Sequence, residues 1–134
     1  MNGSTDGGPL GSVRRFIEGF NRNDIELAQS ACAGENSIID DFPPHEWRGR
    51  GATTAWLTDM NRMGAEYGMS EASDELDEAN AQVTISDTRA YVTAVVDVRW
   101  LQDGAPARRG GRLTLALRGD ADAWRITALA WAWD

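Results

Sequence analysis

The sequence predicts an α+β domain: three N-terminal helices packed on one face of a curved, mostly antiparallel sheet. Three observations predict it. Apolar residues recur at helical spacing near the N-terminus and again over residues 52–67. After Gly68 the apolar period becomes two. The hairpin dipeptide Asp103-Gly104 then separates two long alternating runs.

Residues 1–11 are polar and rich in Gly and Ser, and read as a flexible lead to a single domain over 12–134. Ser12 is the expected N-cap of the first helix, whose stripe is Val13, Phe16, Ile17 and Phe20. Asn21 to Asn23 interrupts it. Asp24 caps a second helix with Leu27, Ala28, Ala31 and Cys32 on its apolar face, and Gly34 ends it. Ser37 to Phe42 reads as a short strand, with Ile38, Asp40 and Phe42 on one face and Ile39 and Asp41 on the other. Pro43 and Pro44 stop that strand, leaving His45, Glu46 and Trp47 in a loop. Gly49 to Gly51 leads into a third helix with a buried stripe at Ala52, Trp56, Met60, Met63 and Tyr67.

The segment from Glu71 to Glu78 carries five carboxylates in eight residues and reads as a solvated edge strand or loop. Strands follow over 81–85, 89–101, 107–118 and 124–133, with Gly119 to Ala123 turning the chain. Ala90, Val92, Ala94, Val96, Val98 and Trp100 share one face, as do Leu113, Leu115 and Leu117, and both faces should meet the helices. Tyr91, Thr93, Asp97 and Arg99 lie opposite. Trp131 and Trp133 share the parity of Arg125, Thr127 and Leu129. That face is either the inner one or the outer one.

Composition excludes several functions. The net charge is -8, from 21 acidic and 13 basic residues, and every basic residue is arginine. Nucleic acid and anionic membrane surfaces both need a basic face, so neither is expected as a partner. One cysteine, Cys32, allows no internal disulfide, and one histidine, His45, allows no multi-His metal site. The start of the chain lacks a signal peptide's order of charge and apolar residues, so a cytoplasmic location is expected. No phosphate loop, dinucleotide fingerprint or nucleophilic serine motif is present.

Particular residues go further. The helix pair Phe-Ile-Glu-Gly-Phe-Asn-Arg-Asn-Asp-Ile-Glu (16–26), Ser-Ile-Ile-Asp-Asp (37–41), Gly49 opening the third helix, and Trp-Arg-Ile (124–126) resemble the nuclear transport factor 2-like superfamily, in its SnoaL-like and ketosteroid-isomerase-like branch. The resemblance covers about residues 12 to 134. It implies a cone, in which a strongly curved sheet wraps the helices around an apolar pocket open at one end. It also implies pairing into homodimers through the outer sheet face. Tyr91, Thr93, Arg99, Arg112 and Thr114 give that face polar and aromatic character suited to such contact. Because the superfamily holds isomerases, cyclases, dehydratases and binding proteins, the fold leaves function open.

The resemblance puts Asp40 where the isomerases hold their proton-moving carboxylate. Burial at the pocket end of a strand raises a carboxyl's pKa toward neutrality, which suits a base. The plain alternative is a carboxylate satisfied by an arginine, a tryptophan or backbone N–H. Phe16 stands where the isomerases have a tyrosine and Leu113 where they have a protonated aspartate, so the donors to a developing enolate are missing. Removing such a donor typically costs a hundredfold or more. His45 is a candidate second acid or base at the pocket mouth, or an exposed loop residue. Phe16, Phe20, Trp47, Trp56, Met60, Trp100, Leu113 and Trp133 are the candidate walls for a small apolar or cyclic molecule, or simply core. Neither a metal nor a cofactor is implied. Two functions remain: a cofactor-independent isomerase, cyclase or dehydratase with Asp40 as base, or a non-catalytic binding or dimeric assembly module. The discriminating observation is whether Asp40 and His45 meet inside one cavity.

Overall fold

The computed structural model describes residues 8–119 and 123–134. The first helix, α1 (Pro9–Arg22), starts three residues before the expected cap. Pro9 occupies its first turn, where a missing N–H costs nothing, and Gly8 enters in an extended conformation. Ser12 is therefore inside the helix, and its hydroxyl donates to the Trp124 carbonyl at 2.5 Å. Val13, Phe16 and Ile17 are buried as the stripe requires. Asn23 ends α1 in the left-handed conformation. Asp24 then caps α2 (Ile25–Ser30), accepting from the Leu27 N–H at 3.0 Å. The two helices touch at Gly19, where an added Cβ would lie 2.4 Å from the Ala28 nitrogen. Only glycine allows this approach.

The α2 helix stops sooner than expected. Cys32 already begins β1 (Cys32–Ile39), so Gly34 lies within a strand instead of closing a helix. The segment after the two prolines is not a loop throughout. The chain folds back, and β2 (Glu46–Arg50) pairs antiparallel with β1, with Trp47 opposite Ile38. Trp47 is buried there. The third helix, α3 (Ala52–Glu66), buries Ala52, Trp56 and Leu57, with Met60 and Met63 partly buried. Tyr67 is 66% exposed, because the helix has already ended and turned its last position away from the core.

The remaining strands are β3 (Met69–Leu76), β4 (Gln82–Ser86), β5 (Arg89–Gln102), β6 (Ala105–Gly119) and β7 (Trp124–Trp133). Among the described residues they form a seven-stranded sheet in the order β2-β1-β7-β6-β5-β3, with β4 beside β3 on β5. Only β1 and β7 run parallel; the other pairs are antiparallel. Asp103 and Gly104, both at positive φ, form a two-residue turn between β5 and β6. The turn between β6 and β7 falls partly on residues 120–122, outside the described residues.

The register of β5 and β6 is as expected. Ala90, Val92, Ala94, Val96, Val98, Leu113, Leu115 and Leu117 are buried toward the helices, and Tyr91 is 51% exposed on the other face. In β7 simple alternation fails. Leu117 pairs with Ile126 but Ala116 pairs with Ala128, so Thr127 is an extra residue in a bulge. The bulge turns Ile126 as well as Leu129, Trp131 and Trp133 inward, and separates the tryptophans from the exposed Arg125. The result is a curved, unclosed sheet against three helices. No helix among the described residues is long and apolar enough to cross a membrane.

Candidate functional site

Between the concave sheet face, α1 and α3 lies a cavity of about 390 Å³. Phe16, Phe20, Trp56, Met60, Leu113 and Trp133 line it, together with Met63, Leu129 and Trp131. Asn23, Asn61 and Glu71 are exposed lining residues and mark its open end. There the Asn61 amide donates to Asn23 Oδ1 at 3.0 Å, tying α3 to the end of α1.

Two predicted wall residues stand elsewhere. Trp47 packs on Phe42 at a ring separation of 5.0 Å, and its indole N–H is taken by Asp59 at 2.8 Å. Placement on β2 keeps Trp47 outside the cavity wall. Trp100 lies behind Trp133, 6.1 Å away, and donates to Gln102 at 3.1 Å. Its strand has run past the helices at that point. The inner-facing Trp131 joins Trp133 edge to face at 5.1 Å. Gly111 makes room for it: a Cβ there would be 2.2 Å from the Trp131 ring.

Asp40 follows directly on β1 and is buried, facing inward with Ile38 and Phe42. Its Oδ2 accepts from the Trp56 indole N–H at 2.8 Å, and its Oδ1 from the Asp41 backbone N–H at 2.7 Å. Trp56 is itself stacked on Phe16 at 5.5 Å and on Phe20 at 6.1 Å, which fixes the donor. No ion pair reaches Asp40 among the described residues. Burial raises its pKa above 3.8, and the bonds from Trp56 and Asp41 only partly offset that rise. Asp41 is exposed at the cavity edge.

His45 does not meet the Asp40 carboxylate inside the cavity. The chain does fold back: the Asp40 N–H donates to the His45 carbonyl at 3.0 Å, and the His45 N–H to the Phe42 carbonyl at 2.8 Å. The ring, however, is exposed, with Nδ1 3.1 Å from the Asp40 backbone oxygen. Positive φ at His45 turns its side chain out of the wall.

A second carboxyl in the cavity wall comes from the acidic run read as solvated. Asp74 on β3 pairs with Val98, and Leu76 with Val96, so both side chains follow the inward parity of β5. Glu71 at positive φ and a bulge between Ser70 and Ser73 set this parity. Asn21 holds the position from α1: its amide donates to the Asp74 carbonyl at 2.8 Å, and its oxygen accepts the Asp74 N–H at 2.6 Å. Oδ1 of Asp74 is fully enclosed and has no hydrogen-bond partner among the described residues. Burial first, then repulsion from Asp40, raises its pKa to about 7. The alternation Ala72, Asp74, Leu76 was the available signal in the sequence.

Cys32 is buried, and burial pushes its thiol up to about 11, which leaves it inert. No group of three or more His, Cys, Asp or Glu among the described residues is placed to hold a metal ion. The arrangement is thus an aromatic-walled cavity with two inward carboxyls of raised pKa.

Comparison with known proteins agrees with this architecture. A ketosteroid isomerase-like protein from Erwinia carotovora superposes with a TM-score of 0.75 at 13% identity, covering 99% of this chain and 98% of that one. A dehydratase-like protein of the nuclear transport factor 2-like family from Streptomyces avermitilis gives 0.73 at 20%, covering 98% of both chains. A superfamily protein from Salmonella enterica serovar Typhimurium gives 0.73 at 15%, covering 92% of this chain and 86% of that one. These identities establish the shared fold alone. No curated protein matches the sequence. The SnoaL-like domain family matches residues 12–129, nearly the whole chain, and the protein belongs to that family.

Proposed function

We propose that the protein binds a small, largely apolar ring compound in the cone cavity, and that Asp40 moves a proton on it. The reaction class is cofactor-independent isomerisation, cyclisation or dehydration. One observation carries the reading: Asp40 is buried in the cavity wall, with no ion pair among the described residues, and its pKa is raised. A buried carboxylate of raised basicity can take a proton from carbon and return it. The likeness to ketosteroid isomerase-like and dehydratase-like proteins supports the class. His45 takes no part in this reading.

A non-catalytic binding role has its own support. Both Asp40 oxygens are already hydrogen-bonded, and Phe16 and Leu113 in the wall offer no donor to a developing oxyanion. One experiment separates the two. Ring ketones and hydroxylated ring compounds are screened by thermal shift, and proton exchange at carbon is followed by NMR in heavy water. Exchange by the native protein and none by Asp40→Asn, with binding retained, supports the enzyme. Equal exchange in both removes Asp40 from the mechanism. Binding without exchange in either favours the binding module.

A further inference from the structure

We propose that the cavity takes a cationic ring compound, a protonated amine whose ammonium group pairs with Asp74 while its ring lies against the tryptophans. The proposal rests on the cavity being the ligand site, and is independent of the role given to Asp40.

The charge of the wall is the first argument. Asp40 and Asp41 face the cavity from the end of β1, and Glu71 and Asp74 from β3. Among the described residues the one cation in the lining is Arg22 from α1, and it is exposed and engaged with Glu18 at 3.5 Å. The cavity residues of α3 and β5 (Trp56, Met60, Asn61, Met63, Val96, Val98) carry no charge. Asp97 and Arg99 of β5 belong to the other face and pair with each other at 3.4 Å. A carboxylate ligand would meet four acids here. A cation would meet them favourably, and the net charge of -8 steers it in.

The second argument is the unpaired oxygen. A buried acceptor without a donor is unfavourable, and Asp74 Oδ1 has no partner among the described residues. Asn21 clamps the Asp74 backbone, and no described residue donates to Oδ1; a turn of the carboxyl toward the cavity that Asp74 lines lets a ligand ammonium N–H supply the donor. The third is the wall itself. Phe20, Trp56, Trp131 and Trp133 line the same cavity. Aromatic faces attract a desolvated cation and accept the ring attached to it. A neutral apolar ligand would use these walls but leave Asp74 unsatisfied.

This chemistry has a thermodynamic signature. Asp74 holds its proton near neutrality, and an ammonium beside it favours the ionised form. Binding therefore displaces a proton, about half of one per site at pH 7. The test is calorimetric titration of the native chain with naphthylmethylamine and with naphthylmethanol, at pH 7, in two buffers of different ionisation enthalpy. We expect the amine to bind about tenfold or more tightly than the alcohol, with proton release seen only for the amine. Asp74→Asn should lose both the preference and the release while alcohol binding stays within about threefold. Alcohol binding equal to or tighter than the amine overturns the proposal and leaves the cavity as ligand site. Retention of the preference in Asp74→Asn overturns it as well. If that variant fails to fold, the native chain's preference between amine and alcohol still decides. Failure of both probes to bind overturns the proposal together with the ligand-site reading.

Discussion

Asp74 should set how the protein's stability changes with pH. In the unfolded chain its carboxyl has the ordinary value of 3.8, and in the folded chain it is raised to about 7. The folded state therefore binds this proton more tightly. Stability from the neutral carboxyl is fully present below 3.8 and is lost as pH rises toward 7, beyond which the loss is constant. At about 1.4 kcal/mol per pK unit, ionising Asp74 costs the fold about 2 kcal/mol at pH 5.5 and about 4 kcal/mol above pH 8. Asp74→Asn keeps the shape and removes the titration. Urea unfolding of both forms at pH 5.5 and pH 8.5 isolates the effect. The variant's stability relative to the native chain should be greater at the higher pH by about 2 kcal/mol, whatever constant offset the new amide introduces. A difference under about 0.5 kcal/mol would show that the ionised carboxylate finds water or a cation in the cavity, and the desolvation argument would fall.

Three further expectations follow from the geometry. Trp56→Phe removes the indole donor that lowers the Asp40 pKa, so the acid limb of proton exchange should move to higher pH; an unmoved limb would separate Asp40 from the titrating group. Gly19→Ala drives a Cβ into the Ala28 backbone and should destabilise by about 1–3 kcal/mol in thermal or urea unfolding, with a neutral result showing that α1 and α2 can part freely. We also propose that the outer sheet face, with Tyr91 51% and Val95 37% exposed, pairs two copies: sedimentation at tens of micromolar should give twice the chain mass of 14.6 kDa, and Val95→Glu should restore the monomer. A native monomer at that concentration would refute the pairing.

Much of this molecule was legible from local pattern. Val13, Phe16 and Ile17 repeat at helical spacing, and 90–98 and 113–117 alternate, so burying either set dictates the element and its face. Asp24 caps its helix through a side-chain bond within three residues, and Asp103-Gly104 turns the chain within two. Ile38, Asp40 and Phe42 share parity, which carried Asp40 inward without any knowledge of its neighbours. Each of these is decided by residues adjacent in the chain.

The tertiary structure decided what depends on distant partners. The strand β2 exists because its backbone finds β1, and nothing within Glu46–Arg50 announces that pairing. The bulge at Thr127 is a mismatch between β6 and β7, so counting along β7 alone could not assign Trp131 and Trp133 to the inner face. His45 was a candidate by proximity to Asp40, yet a single positive φ sends its ring out of the wall. Asp74 was hidden in a run of acids. Its burial comes from β5 and α1, and its raised pKa from that burial and from repulsion by Asp40, thirty-four positions earlier in the chain. Sequence pattern determines the local conformation and the sign of each face, because both are short-range. Which charges are desolvated together is long-range, and only the curved sheet packed on the helices brings those residues within reach of one another.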